Sequence, residues 1–418
     1  MSKGFYRNRR LKSIVFLASC LSVTIFLHLY DFEYLSIFIL FLSFFVALYG
    51  LIIISKNIRR SNGFNTFDNT NNEEDLPILD VLVAARDEEN VIERLVERLL
   101  SLDYPSKKLN IYVIDDGSSD KTPLILRRLS KEFDKLKIIS RSPDSGGGKS
   151  GALNYALKFT HGEWLLVLDA DAQLKKDTLI KLFNFVRKGG WSAVQLRKSV
   201  LNVSKNFLTN CQSMEMAMDA IFQYGRLSVA GVSELRGNGQ LINRNILLEC
   251  GSFNEDTVTD DLDLSLRLLL SKSRIGILWD PPVMEEAVEN INALFAQRQR
   301  WAEGGLQRFF DYGDQIFTKK IDNLQKFDLS YFFILQYALP IISMLDLILS
   351  VILVESPIFW PISLTAFTLS GIAFWYGSFY SSESEATKDT NFLMIFLSVF
   401  YLSHWFLVIP WVTLKMSI

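Results

Sequence analysis

Five apolar runs, two before and three after a polar middle, limit what this chain can fold into. Ser13–Tyr30 and Leu35–Ser55 come first; Leu329–Val354, Pro357–Tyr380 and Phe392–Leu414 come last. Each is about long enough to cross a ~30 Å hydrocarbon layer at about 1.5 Å per residue. Lipid offers no partner for a backbone N–H or C=O, so each run is expected to be a transmembrane helix. Pro340, inside the third run, is tolerable where neighbouring helices supply partners. A buried helical domain is the alternative, and runs this long with so few charges argue against it.

Charge orients the first pair. Lys3, Arg7, Arg9, Arg10 and Lys12 precede it, Asp31-Phe32-Glu33 separates its arms, and Lys56, Arg59 and Arg60 follow. A signal peptide would also begin with a basic stretch and an apolar run, but no small-residue cleavage site separates the two runs. A hairpin with basic ends and an acidic tip is expected to keep residues 1–60 anchored with both ends in the cytoplasm. The polar middle and the 381–390 loop are then cytoplasmic, and the C-terminus lies outside. The membrane would be a bacterial plasma (inner) membrane or a thylakoid. A formal net charge of -2 excludes bulk electrostatic binding of nucleic acid. Three histidines make a His-centred triad a poor expectation, so carboxylates must carry acid–base work. Cys20, Cys211 and Cys250 have no metal-ligand spacing and are read as reduced and structural.

Residues 61–75 read as a polar linker, and 76–285 as an α/β domain. Strands are expected at 78–85, 109–114, 137–139 and 164–168, and helices at 87–100, 122–133 and 152–159. Their alternation implies a mostly parallel, doubly wound sheet. Residues 286–328 mix Ile291, Phe295, Trp301 and Phe309 with Arg298, Arg300 and Arg308, the composition of amphipathic helices at a membrane surface. A basic helix packed under the soluble domain is the alternative. Residues 329–418 hold the last three spans.

The apolar run Trp164–Leu168 ends in Asp169-Ala170-Asp171. In open α/β sheets ligands sit beyond the carboxyl ends of the strands, so both aspartates are expected in a cleft. The pair suits a hard divalent cation sharing a diphosphate, and equally an ordinary turn. Asp115-Asp116-Gly117-Ser118 ends another expected strand. Thr259-Asp260-Asp261-Leu262-Asp263 opens an expected helix, where acids also serve as caps. The loop Ser145–Gly151 holds the end of a P-loop motif, Gly148-Lys149-Ser150, but Pro143 stands where its first glycine belongs. Lys149 and mobile backbone N–H groups can still meet a diphosphate.

The order Asp-Asp-Gly-Ser, Asp-x-Asp, Thr-Asp-Asp and Gln-x-x-Arg-Trp resembles membrane-bound family 2 glycosyltransferases of the GT-A fold. These include cellulose, hyaluronan and poly-N-acetylglucosamine synthases. The resemblance implies an α/β GT-A glycosyltransferase domain inserted between transmembrane helices, a UDP-sugar donor, and Mg²⁺ or Mn²⁺. It implies that Ala84, Arg86 and Glu88 hold the uridine, Asp116 meets the uracil, and Lys149 and Gln297 approach the donor. Asp169 and Asp171 would contact the ribose and the cation. Asp261 would be the general base, with Asp260 standing where the family has glutamate. Arg300 would face the leaving diphosphate, and Trp301 the acceptor.

The form Arg236-Gly237-Asn238-Gly239-Gln240, with Trp301-Ala302-Glu303-Gly304-Gly305, is more similar to cyanobacterial enzymes that glucosylate diacylglycerol. A lipid acceptor is therefore expected ahead of processive polysaccharide synthesis. A non-catalytic nucleotide-sugar-binding subunit is a third reading, opposed by retention of the expected acids.

Overall fold

Seven stretches of β-branched and leucine-rich sequence pair into one sheet: β1 (Leu79–Ala85), β2 (Leu109–Asp115), β3 (Leu136–Ser140), β4 (Trp164–Leu168), β5 (Ala193–Val200), β6 (Gln240–Asn243) and β7 (Ile275–Glu285). Their order is β3-β2-β1-β4-β6-β5-β7, and only β6 runs antiparallel to its neighbours. This computed structural model describes residues 8–29, 34–56, 75–318, 320–380 and 392–418. Lys3, Arg7, Asp31, Phe32, Glu33, Arg59, Arg60, the linker up to Glu74 and the 381–390 loop lie outside the described residues.

The chain divides into two units. The sheet unit takes Asn62–Leu201 and Ser233–Glu286. Its helices, numbered along the whole chain, are α3 (Ile92–Leu100), α4 (Thr122–Glu132), α5 (Gly148–Ala156), α6 (Thr178–Gly189), α8 (Arg244–Glu249) and α9 (Asp260–Leu270). Alternation along the strands feeds two separate cores. Val81, Val83, Leu166 and Leu168 pack with Leu95 of α3, Leu126 of α4 and Leu182 of α6. Leu82, Leu165 and Val167 pack with Leu153 of α5 and with Leu264 and Leu268 of α9. Both faces are thus covered, as a continuous apolar run in a parallel strand requires, and Leu165 to Leu168 are each 0% exposed. β2 and β3 wind to one side of β1, and β4 lies on the other. The switch point therefore falls between the carboxyl ends of β1 and β4, where Arg86 and Asp169 follow their strands.

In the sheet unit, two helix starts differ from expectation. The helix after β1 starts at Ile92 rather than Asp87, because Asp87 adopts φ 58° in a turn at the strand end. The helix after the glycine loop starts at Gly148 rather than Ala152, so Lys149 sits in its first turn.

The other unit takes Met1–Ser61, Asn202–Val232 and Ala287–Ile418. It comprises α1 (Arg9–Leu29), α2 (Leu35–Ser55), α7 (Phe207–Ala230), α10 (Ile291–Ile316), α11 (Asn323–Phe333), α12 (Leu339–Leu353), α13 (Trp360–Tyr380), α14 (Phe392–Tyr401) and α15 (Trp405–Ser417). Among the described residues five helical segments are long and apolar enough to cross a membrane: Arg9–Leu29, Leu35–Ser55, Asn323–Leu353, Trp360–Tyr380 and Phe392–Ser417. A π-turn at Ile334–Ala338 joins α11 to α12 just ahead of Pro340, whose missing N–H needs no partner in a first helical turn. Residues 202–232, read from the sequence with the α/β stretch, cluster with these helices instead. The reason is close packing: a Cβ on Gly225 of α7 would lie 2.4 Å from the Ile53 carbonyl oxygen of α2.

In α10, Arg298, Gln307, Arg308 and Asp311 are all buried. Its charges are used internally: Asp311 takes a 2.5 Å ion pair from Arg9 of α1, and Arg298 pairs with Glu215 of α7. The three cysteines are free, with Cys20 and Cys211 buried.

Candidate active site

The carboxyl ends of β1 and β2 carry loops that lace together. Glu88 N–H donates to Thr122 Oγ1 at 2.8 Å, Glu89 N–H to Asp120 Oδ2 at 3.0 Å, and Ser119 N–H to Asp87 Oδ1 at 2.7 Å. These bonds hold Arg86 exposed and Glu88 half-buried at the strand end, next to Ala84 within β1. Asp115 turns inward and accepts from Ser118 N–H at 3.1 Å, which leaves Asp116 as the outward acid. Asp116 is not free: Arg141, the first residue after β3, contacts it at 2.6 Å. The same guanidinium donates to the Gly146 carbonyl at 2.7 Å, tying the loop after β2 to the glycine loop.

Gly146, Gly147 and Gly148 all have positive φ, between 52° and 72°. The segment needs glycine for that reason, and at Gly147 a Cβ would also lie 2.6 Å from Glu255 Oε2. The turn delivers Lys149 to Asp169, with which it forms an ion pair, and within 3.4 Å of the Gly237 carbonyl. Gly237 in turn lies against the third acidic cluster: a Cβ there would be 3.3 Å from Asp261 Oδ2. Asp169, Lys149, Gly237 and Asp261 are therefore consecutive neighbours in the sheet unit. Asn238, fully buried, fixes the floor. It accepts from Asp169 N–H at 3.2 Å and donates to Glu285 Oε2 at 3.1 Å, and Lys198 contacts Glu285 at 2.6 Å. Asp171 accepts from Glu286 N–H at 3.0 Å.

The electrostatics sort these acids. Burial and then the charges of Asp171 and Asp169 push Glu88 up to about 7. Burial, with Glu285 and Asp169 nearby, pushes Asp171 up to about 6. Burial opposes ionisation of Asp169 too, but Lys149 overcomes it and holds that carboxyl below the usual range. Burial also works against the Lys149 ammonium, and the charges of Asp169 and Asp260 nevertheless raise it. Burial and the adjacent Asp260 push Asp261 up to about 6, and burial raises Asp260 itself. An acid at about 6 in a desolvated setting is matched to general-base work near neutrality.

Asp263, beside this cluster in sequence, has another task. It pairs with Arg267 at 2.7 Å, and Arg267 holds the Cys250 and Ser252 carbonyls at 2.5 and 2.8 Å. No group of three or more His, Cys, Asp or Glu side chains among the described residues is arranged as a closed metal cage. Asp169, whose side chain is 41% exposed, and Asp171 offer two carboxylates. That donor set fits a hard cation that draws its remaining oxygens from waters and a bound diphosphate.

The sheet unit thus brings together Glu88, Lys149, Asp169, Asp171 and Asp261, with Asp116 joined through Arg141. Gln297, Arg300 and Trp301 belong to α10 of the other unit. Sequence reading missed Arg141, Lys198 and Glu285. Arg141 and Glu285 lie at carboxyl strand ends, the one signal that could have marked them.

Residues 77–304 match the family described as glycosyltransferase like family 2. The β-monoglucosyldiacylglycerol synthase of Trichormus variabilis is 38% identical over 99% of this chain and 87% of that protein. The enzyme of the same name from Synechocystis sp. is 40% identical over 82% of this chain and 72% of that protein. Among solved structures, a mannosyltransferase from Pyrobaculum calidifontis in complex with GDP-mannose and Mn²⁺ shares the fold. It has a TM-score of 0.60 and 19% identity, covering 89% of this chain and 99% of that one. The chain is a glycosyltransferase with a GT-A-like fold, and it belongs to glycosyltransferase family 2.

Proposed function

We propose that this chain moves glucose from UDP-glucose to the free hydroxyl of 1,2-diacylglycerol, with inversion, to give a β-linked glucolipid. The observation that carries this reading is the similarity to β-monoglucosyldiacylglycerol synthases along nearly the whole chain, apolar helices included. Asp261 removes the proton of the acceptor hydroxyl as that oxygen attacks the anomeric carbon. The new C–O bond forms on the face opposite the breaking one, and UDP departs with the bonding electrons. One base and no covalent intermediate give inversion. Lys149 meets the growing charge on the diphosphate, and Arg300 is assigned the same duty by the family motif. Ala84, Arg86, Glu88 and Asp116 hold the uridine, Gln297 assists the donor, and Trp301 borders the acceptor. Asp169 and Asp171 would hold Mg²⁺ or Mn²⁺, which when bound neutralises diphosphate oxygens.

Arg9, Arg10, Lys12 and Lys56 flank the first two spans, so the positive-inside rule puts the sheet unit in the cytoplasm of a multi-pass protein. The membrane is a plasma (inner) membrane or a thylakoid.

The test is direct. Purified protein with radiolabelled UDP-glucose, Mg²⁺ and diacylglycerol is expected to yield an organic-extractable glycolipid. Label in a water-insoluble polymer would instead identify a processive synthase, and tight UDP binding without turnover a nucleotide-sugar-binding subunit.

Arg141 provides a second test. Arg141→Ala releases both Asp116 and the Gly146 carbonyl. The Kd for UDP is expected to rise about tenfold, the loss of one charge-assisted contact set, with kcat little changed. Isothermal titration with UDP measures it, and an unaltered Kd would remove Arg141 from donor binding.

A further inference from the structure

One charged cluster lies wholly inside the unit of apolar helices. Arg298 of α10 is 1% exposed. Its Nη2 donates to Glu215 of α7 and, at 3.2 Å, to Tyr401 Oη of α14. Glu215 also accepts from Tyr401 Oη at 3.2 Å and from Trp405 Nε1 of α15 at 3.1 Å. Among the described residues, Arg298 Nε and Nη1 have no hydrogen-bond partner. Indole rings flank the guanidinium instead: its carbon lies 4.1 Å from the Trp301 ring centroid and 5.6 Å from that of Trp405.

A buried ion pair contributes little net stability compared with apolar residues of the same volume. Its worth lies in what it holds in place, and here that is an indole one turn further along the same helix. We propose that Arg298, pinned by Glu215, Tyr401 and Trp405, is a positioning residue that sets the orientation of the Trp301 ring for the lipid acceptor. This rests on the reading of Trp301 as the acceptor's neighbour. The flat guanidinium is suited to the task because it stacks on an indole while its edge is bound by a carboxylate; a lysine ammonium cannot do both.

Two variants test it in the full-length protein in lipid–detergent micelles. Arg298→Lys keeps the charge and loses the stack. The double variant Arg298→Met with Glu215→Met removes both charges and leaves none buried without a partner, so it is expected to fold. In both, the KM for diacylglycerol is expected to rise about tenfold, while the KM for UDP-glucose stays within about twofold. An unchanged acceptor KM, or donor and acceptor parameters that fall together with thermal stability, overturns the proposal. The near-ultraviolet circular dichroism difference between wild type and Trp301→Phe isolates the Trp301 signal, and Arg298→Lys is expected to diminish that same signal. Wild-type protein inactive toward diacylglycerol would overturn the acceptor reading. The Trp301 signal would then still decide whether Arg298 orients that ring.

Discussion

Asp261→Asn is expected to lower kcat by about a thousandfold while UDP binding persists. Asparagine has nearly the shape of aspartate and keeps an oxygen to accept from Leu262 N–H, now at 2.9 Å from Asp261 Oδ1. The start of α9 should therefore survive, and the loss is that of a group able to take a proton. The wild-type pH profile carries the same signature. Burial and Asp260 raise Asp261 to about 6. A base works only when ionised, so kcat/KM for the acceptor is expected to hold above about 6 and fall as pH drops through that value. An ordinary exposed carboxylate would place that fall nearer 4. The residual activity of Asp261→Asn should lack this acid limb. A variant with near-normal rate would remove Asp261 as the base.

Much of this is legible in the sequence, and for identifiable reasons. Trp164–Leu168 announced a strand buried on both faces, because its residues are apolar at every position rather than at every second one. The acids beyond strands followed from strand-end geometry. The five apolar segments were legible because lipid forbids unpaired backbone. The short antiparallel β6 was not, since Gln240–Asn243 has neither length nor alternation and is held by its neighbours. Arg141 was hidden because nothing local marks a lone arginine as the partner of an acid 25 residues earlier. Residues 202–232 cluster with the apolar helices, although α7 carries Gln212, Glu215, Asp219 and Arg226 and reads in the sequence as a soluble helix. Its polar groups are satisfied inside the helical unit, as in the 2.8 Å pair of Arg226 with Asp328. Periodicity reports which residues are apolar; it is blind to a buried charge that has found its partner.

Asp171→Asn is the sharpest test of the cation. The sequence left two meanings for Asp169-Ala170-Asp171, a metal site or a polar turn, and the structure contains features of both. Asp171 accepts a backbone N–H from Glu286, which is turn work, and asparagine can do that equally well. Yet Asp171 is pushed up to about 6, burial being the largest cause, with Glu285 and Asp169 close by. A mere turn gains nothing from crowding acids in this way, whereas a divalent cation relieves it. Lys149 neutralises Asp169 and, among the described residues, the second carboxylate has no ion pair of its own. The variant should therefore keep its fold and its Glu286 contact, and lose kcat by about a hundredfold or more. Calorimetry separates the two meanings without relying on turnover. Wild-type affinity for UDP is expected to be higher with Mg²⁺ than with EDTA, and in Asp171→Asn that difference should vanish. A variant whose UDP affinity still responds to Mg²⁺ would return Asp171 to the role of a turn residue.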